Sequence, residues 1–250
     1  MNAIKYIFLG IVQGLTEFLP VSSSAHLVIF QDLLGFKENQ ILLDIVLHVG
    51  TLFALIVFLF KDIKRLLTIK VLFLIFLATV LTVAVVVLGE DFFESMFSAP
   101  AKLALPLFIT GIALLCTKKF TKGLRSLSEL KIGDAFWLGI LQGISVIPGL
   151  SRSGITISAL LFRNVQREAA FKFSFLASIP VILGAVLFKI GEFSQISCFE
   201  FKYMAFGFFA SFLSGLLALK ILLIVIRKAR LHLFGYYCLA LAFVLWRWLI

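Results

Sequence analysis

The chain alternates between long apolar runs and short polar connections that are mostly basic. A helix needs roughly 20 apolar residues to cross the hydrocarbon core of a bilayer. Six runs approach that length, at 42–60, 71–89, 101–117, 173–190, 203–226 and 233–250, and each predicts a transmembrane helix. Two further runs are as apolar but broken. Residues 4–34 contain Pro20-Val21-Ser22-Ser23-Ser24, and residues 135–162 contain Pro148-Gly149-Leu150-Ser151-Arg152-Ser153-Gly154. Irregular backbone at membrane depth is tolerated only where it is buried in protein or lines a wet cavity. Both segments are therefore predicted to be re-entrant helical hairpins. The expected fold class is an all-α integral membrane protein of six transmembrane helices plus two hairpins.

Composition turns that pattern into a statement about solvent. The chain is 62% hydrophobic and 14% charged, with a mean hydropathy of +1.12. A soluble domain carries about 45–50% apolar and about 25% charged residues, so most of this surface must face lipid. A soluble globule, a disordered chain and a disulfide scaffold are excluded. Cys116, Cys198 and Cys238 lie far apart without metal-ligand spacing and read as small apolar helix residues. Gln13, Thr16 and Glu17 interrupt the first apolar run and no small-residue cleavage site follows, so the sequence is expected to be the mature chain.

The net charge of +10 reports topology before it reports a partner, and no nucleic-acid partner is expected. Lys61, Lys64, Arg65 and Lys70 follow the first span, and Lys118, Lys119, Lys122, Arg125 and Lys131 follow the third. Arg163, Arg167 and Lys172 precede the fourth, and Arg227, Lys228 and Arg230 follow the fifth. If the six spans alternate, these fifteen of the 23 basic residues share one side. The opposite loops mix Lys37, Lys102, Lys189 and Lys202 with Asp32, Glu38, Glu90, Asp91, Glu94, Glu192 and Glu200. The basic side is then cytoplasmic and both termini lie outside. The first hairpin must enter from the outside and the second from the cytoplasm.

The broken segments resemble each other. Leu9-Gly10-Ile11-Val12-Gln13-Gly14 matches Leu138-Gly139-Ile140-Leu141-Gln142-Gly143 at an offset of 129 residues. Deleting one residue brings Pro20 onto Pro148, Ser23 onto Ser151 and Leu59-Phe60-Lys61 onto Leu187-Phe188-Lys189. Two halves, 1–125 and 126–250, then each hold one hairpin and three spans within one membrane domain. Three is odd, so the second half runs through the membrane inverted. Inverted-topology repeats place a site between facing broken helices.

Within the hairpins, Glu17, His26 and Arg152 are ionisable residues where lipid should exclude charge. Arg152 supplies a planar, permanently charged fork suited to phosphate oxygens. Ser22, Ser23, Ser24, Ser151, Ser153 and Thr156 add hydroxyls, while Gly149 and Gly154 let backbone approach closely. A half-helix starting near Ser151 would turn unpaired N–H groups and a positive dipole end toward an anion. Glu17 cannot favour an anion, so it is either a general base or a cation ligand. His26 lies where it can move a proton. Base, hydroxyl, imidazole and phosphate clamp together suit a phosphatase.

Gln13-Gly14-Leu15-Thr16-Glu17-Phe18-Leu19-Pro20-Val21-Ser22-Ser23-Ser24-Ala25-His26 and Pro148-Gly149-Leu150-Ser151-Arg152-Ser153-Gly154-Ile155-Thr156 resemble the two signature motifs of the bacterial undecaprenyl-diphosphatase family, the bacitracin-resistance type of lipid-carrier phosphatase. The resemblance continues through Arg167-Glu168-Ala169-Ala170 and Phe173-Ser174-Phe175-Leu176, and the span pattern covers essentially the whole chain. It implies removal of the terminal phosphate from undecaprenyl diphosphate, recycling the monophosphate carrier for cell-wall polymers and conferring bacitracin resistance. It places the protein in the bacterial cytoplasmic membrane, with a site open to the periplasm or exterior. By resemblance, Glu17, His26 and Arg152 are catalytic and Ser23 is a nucleophile. Gln13, Ser22, Ser151, Ser153, Gly154 and Thr156 are expected to bind substrate.

Gln13 occupies the first position of an acidic pair, leaving Glu17 as its only carboxylate. That weakens a two-carboxylate metal cage, although a magnesium or calcium ion shared between Glu17 and the diphosphate is compatible with it. No organic cofactor is expected. A Gly-Thr-Ile-Pro-Ala run common in the family's second span is replaced by Ala78-Thr79-Val80-Leu81-Thr82, and the 61–70 loop is short. Asp44 and His48, four residues apart, are either support for the site or a structural helix-end pair. His232 reads as interfacial, Trp137, Trp246 and Trp248 as interface anchors, and the 29 Phe as core and lipid-facing packing. Serine attack and activated water both remain open. A polyprenyl-phosphate flippase or other secondary transporter is the alternative function. The type 2 phosphatidic acid phosphatases fit poorly, since no His follows Ser151-Arg152 at their spacing. The expected partners are the lipid substrate and surrounding lipids, and a homodimer is allowed for.

Overall fold

The computed structural model describes residues 3–36, 40–66, 68–97, 100–120, 123–188 and 198–249. Lys37, Glu38, Lys122, Lys189, Ile190, Glu192 and Ile250, used above, lie outside them. The fold is all-α. The first broken segment forms α1 (Ala3–Phe18) and α2 (Ser23–Leu33), followed by α3 (Gln40–Leu66), α4 (Ile69–Leu88), the short α5 (Glu90–Phe97) and α6 (Ala104–Cys116). The second broken segment forms α7 (Ile132–Ile144) and α8 (Arg152–Phe162), followed by α9 (Arg167–Phe188), α10 (Cys198–Arg227) and α11 (His232–Leu249).

Four of these, α3, α4, α9 and α10, are long and apolar enough to cross a membrane. Helix α4 shows why: it is apolar on every side, and Leu72, Phe73, Phe76, Val80, Val83 and Val87 are exposed. A helix apolar all round needs an apolar solvent. The expected span at 101–117 is shorter than its apolar run. Pro100–Leu103 forms a 3-10 turn, and α6 contributes 13 residues, about 20 Å of rise. Helix α3, by contrast, continues through Lys61, Lys64 and Arg65, so the short 61–70 connection reduces to the residues around Thr68, whose hydroxyl caps α4.

Each hairpin returns to the end where it began. Lys5, in the first turns of α1, donates to the carbonyl of Leu34 at the end of α2, 2.6 Å away. Asp134, in the first turn of α7, accepts from Arg163 at the end of α8 at 2.6 Å and from Arg125 at 2.6 and 2.9 Å. The basic ends of the long helices also gather at one end of the molecule. Lys172 of α9 pairs with Asp62 of α3 at 2.7 Å, Arg227 of α10 with Glu168 of α9 at 2.9 Å, and Lys70 of α4 reaches Ser128 at 2.6 Å.

Helix packing exchanges between the halves. Helix α1 packs along α10 and α7 along α4, α3 packs on α10 and α9 on α4, and α6 and α11 pack on each other. Glycine permits the closest of these approaches. A Cβ on Gly10 would lie 2.4 Å from the Gly207 carbonyl oxygen and 2.8 Å from the Ala210 Cβ. One on Gly139 would lie 2.6 Å from the Ala78 oxygen and 2.8 Å from the Leu81 Cβ. The pairs 10/139, 78/207 and 81/210 all differ by 129, as do 14/143, 82/211 and 85/214 at the next contact. The Ala78–Thr82 run that departs from the family pattern is thus the surface against which α7 packs. With a residue deleted, Ser23 falls on Ser151, but the residues that cap α2 and α8 are Ser22 and Ser151, in the unbroken 129 register.

The core lies at the centre of these contacts, where Phe18, Phe171, Phe173 and Phe175 are fully buried. Phe18 meets Phe175 edge-on at 5.6 Å. Other phenylalanines, such as Phe73, Phe76, Phe209 and Phe243, are exposed, matching the expected division between core and lipid.

Candidate active site

Helix α1 stops at Phe18 because Pro20 cannot continue it. The chain then turns through Ser22, which adopts φ 70°, the left-handed region that L-residues other than Asn and Asp rarely enter. This strained residue caps α2, accepting from the Ala25 N–H at 3.4 Å. In the second hairpin Gly149 takes φ 96° where an added Cβ would lie 2.7 Å from the Leu103 carbonyl oxygen. Ser151 then caps α8, accepting from the Gly154 N–H at 3.1 Å.

The two turns meet. Ser24 accepts from the Gly149 N–H at 3.4 Å, and a Cβ on Gly154 would lie 3.1 Å from that of Pro20. The N-termini of α2 and α8 are thereby side by side. The first N–H groups of each have no intrahelical partner and carry the positive end of a helix dipole. Thr110 of α6 supports the second turn, accepting from the Ser151 N–H at 3.0 Å and donating toward the Gly149 carbonyl at 3.5 Å.

Glu17 sits at this junction, buried. Its Oε1 pairs with the Arg152 guanidinium, from the other half of the chain. Its Oε2 accepts from the Ser23 hydroxyl at 2.7 Å and from the Gln13 amide at 3.1 Å. His48 Nε2 lies 3.6 Å from that oxygen. His48 therefore lies against the site, with Nδ1 2.7 Å from the Asp44 backbone carbonyl, while the Asp44 carboxylate accepts from Gln31 of α2 at 2.6 Å.

Other expected residues are placed differently. His26 faces neither Ser23 nor Glu17 with its ring nitrogens. Its Nδ1 lies 2.7 Å from the Ser22 carbonyl and its Nε2 2.7 Å from the Tyr237 hydroxyl of α11. Thr156 donates to the Arg152 carbonyl at 2.7 Å and lies 2.7 Å from the Ser174 hydroxyl of α9, so it braces α8 from behind. Ser153 is buried with its hydroxyl 3.3 Å from that of Ser151. Gln13, Glu17, Ser23 and Arg152 are the expected residues brought into one group, with Ser22, Ser151 and Gly154 building the turns around it. Sequence reasoning missed Tyr237, Thr110 and Gln31, and met Ser174 only as part of the family resemblance. Thr110 carried a usable signal, a hydroxyl beside Gly111 in the middle of an apolar run.

The Oε1 atom of Gln13 is buried with no hydrogen-bond partner among the described residues. It is the Nε2 of Gln13 that faces the Glu17 carboxylate, at 3.1 Å; an amide oxygen and a carboxylate are both of the hard oxygen type that magnesium and calcium take. Chemically, the junction offers a carboxylate that can accept a hydroxyl proton, a guanidinium fork and two helix N-termini, which together suit an anionic phosphate ester or anhydride.

Comparison with known proteins shows the family. The family model described as bacitracin resistance protein BacA matches residues 6–244. The chain is 42% identical over 246 residues to an undecaprenyl-diphosphatase of Carboxydothermus hydrogenoformans, covering 95% of this chain and 94% of that protein. It is 39% identical to the undecaprenyl-diphosphatase of Halothermothrix orenii over 245 residues, 95% of each. A third, from Methanobrevibacter smithii, is 39% identical over 262 residues, covering 95% of this chain and 94% of that protein. With the match running from Tyr6 in α1 into α11, the chain belongs to the bacitracin resistance protein BacA family of undecaprenyl-diphosphatases.

Proposed function

We propose that this protein hydrolyses undecaprenyl diphosphate to undecaprenyl phosphate and inorganic phosphate, recycling the lipid carrier for cell-wall synthesis and conferring bacitracin resistance. Relatives of that name at 39–42% identity over nearly the whole chain support the reaction. The observation that carries the site assignment is Glu17 held between Ser23 of one half and Arg152 of the other. Arg152 and the N–H groups opening α2 and α8 bind the diphosphate and stabilise the charge that develops on the transferred phosphoryl group. Glu17, at 2.7 Å, takes the Ser23 proton. As the Ser23 Oγ–P bond forms, the bond from phosphorus to the bridging oxygen breaks, and its electron pair leaves on undecaprenyl phosphate. Water then hydrolyses the phosphoserine. Until substrate arrives, the Glu17–Arg152 pair keeps both charges compensated in a buried setting. A magnesium or calcium ion, when bound, would be held by Glu17 and Gln13 and would offset diphosphate charge.

The wider architecture proposed is an inverted-topology repeat of halves 1–125 and 126–250, each a re-entrant hairpin and three spans, with the site opening to the periplasm or exterior of a bacterial inner membrane. The exchanged helix contacts, the 129-residue register of the paired glycines and the returning ends of both hairpins support it.

The reaction is tested by phosphate release from undecaprenyl diphosphate by purified protein in detergent, where no gradient exists. Release by wild type and a trapped phosphoenzyme that Ser23→Ala abolishes are expected. Carrier movement in vesicles with no hydrolysis would instead favour a flippase. A Ser23→Ala protein that turns over normally would replace serine attack by activated water.

A further inference from the structure

His26 is held from two sides, and the chemistry of its partners fixes which nitrogen carries the proton. The Ser22 carbonyl, 2.7 Å from Nδ1, can only accept, so Nδ1 bears the hydrogen. The Nε2 of the neutral ring is then an acceptor, and the Tyr237 hydroxyl 2.7 Å away donates to it. The two rings stack with centroids 5.8 Å apart and planes inclined by 11°. The Ser22 carbonyl at Nδ1 and the Tyr237 hydroxyl at Nε2 thus hold the imidazole from both nitrogens. Tyr237 comes from α11, 211 residues further along the chain, and its neighbour Cys238 packs against the Pro20 carbonyl that opens the same turn.

We propose that Tyr237 is a positioning residue for His26, orienting its ring and completing the hydrogen bond at Nε2 so that the second half of the chain controls the histidine of the first. The proposal rests on His26 taking part in the reaction. Ser23 does not occupy the imidazole, because its hydroxyl is committed to Glu17. The Tyr237 hydroxyl is the group that meets Nε2. The titratable and charged groups nearest His26 on the elements around it are Lys5, Tyr6 and Glu17 on α1, Asp32 on α2 itself, Lys102 in the 3-10 turn, Asp44 and His48 on α3, Arg152 on α8, and Tyr236, Tyr237 and Cys238 on α11. Of these, Tyr237 is the one hydrogen-bonded to a His26 ring nitrogen among the described residues.

Tyr237→Phe keeps the stacked ring and removes only the hydroxyl. Phosphate release from undecaprenyl diphosphate in detergent is measured against pH for wild type, Tyr237→Phe, His26→Ala and the double variant, with Tyr236→Phe as neighbour control. Loss of the hydroxyl should lower kcat roughly tenfold, a fraction of what acid–base catalysis supplies. It should also move the histidine-dependent limb of the profile to lower pH, because the charge-assisted bond from imidazolium to the tyrosine oxygen is the stronger one lost. In the His26→Ala background the same change should cost nothing further. A Tyr237→Phe protein with unmoved kcat and profile overturns the proposal. So does an equal loss in both backgrounds, which marks a purely structural tyrosine. If His26→Ala itself keeps wild-type activity, the assignment of His26 fails rather than the contact.

Discussion

Arg152 and Glu17 define the site because each is a charge that lipid excludes and each is answered by the other. Arg152→Lys retains a positive charge near Glu17 but loses the fork that grips two phosphate oxygens. Its kcat/KM should fall by roughly 10²-fold or more, the scale of losing a transition-state donor. Its thermal unfolding should stay within a few degrees of wild type. Near-normal turnover would contradict the clamp assigned to this residue. Glu17, Ser23 and Arg152 were legible in the sequence for one physical reason: polar groups at membrane depth stand out against an apolar background. Tyr237 was not. An aromatic residue in an apolar helix is ordinary, and its partner is 211 positions away. The direction in which His26 points was equally hidden, since it depends on a positive φ at Ser22 that no pattern of residue types announces.

At the level of the helices, the duplicated Gly positions are where sequence and packing correspond most closely. A Cβ on Gly14 would lie 2.4 Å from the Ser211 carbonyl oxygen, and one on Gly143 2.6 Å from the Val85 Cβ. Gly14→Ala and Gly143→Ala should each destabilise the protein by about 1–3 kcal/mol through overpacking. Gly184→Ala, with open space around the added carbon, should leave the unfolding temperature unchanged. Equal behaviour of all three would contradict close approach as the role of the motif. Asp134 offers a second test. Its side chain is fully buried between the partly exposed Arg125 and Arg163, so Asp134→Ala removes the bonds that join them and should cost about 1–3 kcal/mol in detergent unfolding. The apolar runs made the long helices readable, and the Pro and Ser clusters located both breaks. The shortness of α6 was not readable, because apolarity continues through the 3-10 turn that precedes it.

Across the whole molecule, turns from the first and second broken segments meet at one junction. The basic residues predict one cytoplasmic side from sequence, and ion pairs among them gather at one end of the structure. In a protein with Cys116 and Cys198 replaced by Ser, Ser128→Cys should react with a membrane-impermeant maleimide only from the cytoplasmic face. Asp91→Cys should react only from the outer face, and labelling of both from one face would refute the orientation. What composition and spacing could not give was which residues of the two hairpins touch, because that depends on three-dimensional packing of segments 135 residues apart. The most direct measurement of the central claim is a double-mutant cycle on kcat/KM for undecaprenyl diphosphate, using Glu17→Gln, Arg152→Lys and the double variant. If the halves build one catalytic unit, each single change is severe and the double variant is little worse than either. Losses that simply multiply would show two residues acting independently, and would contradict a site made at the junction of the hairpins.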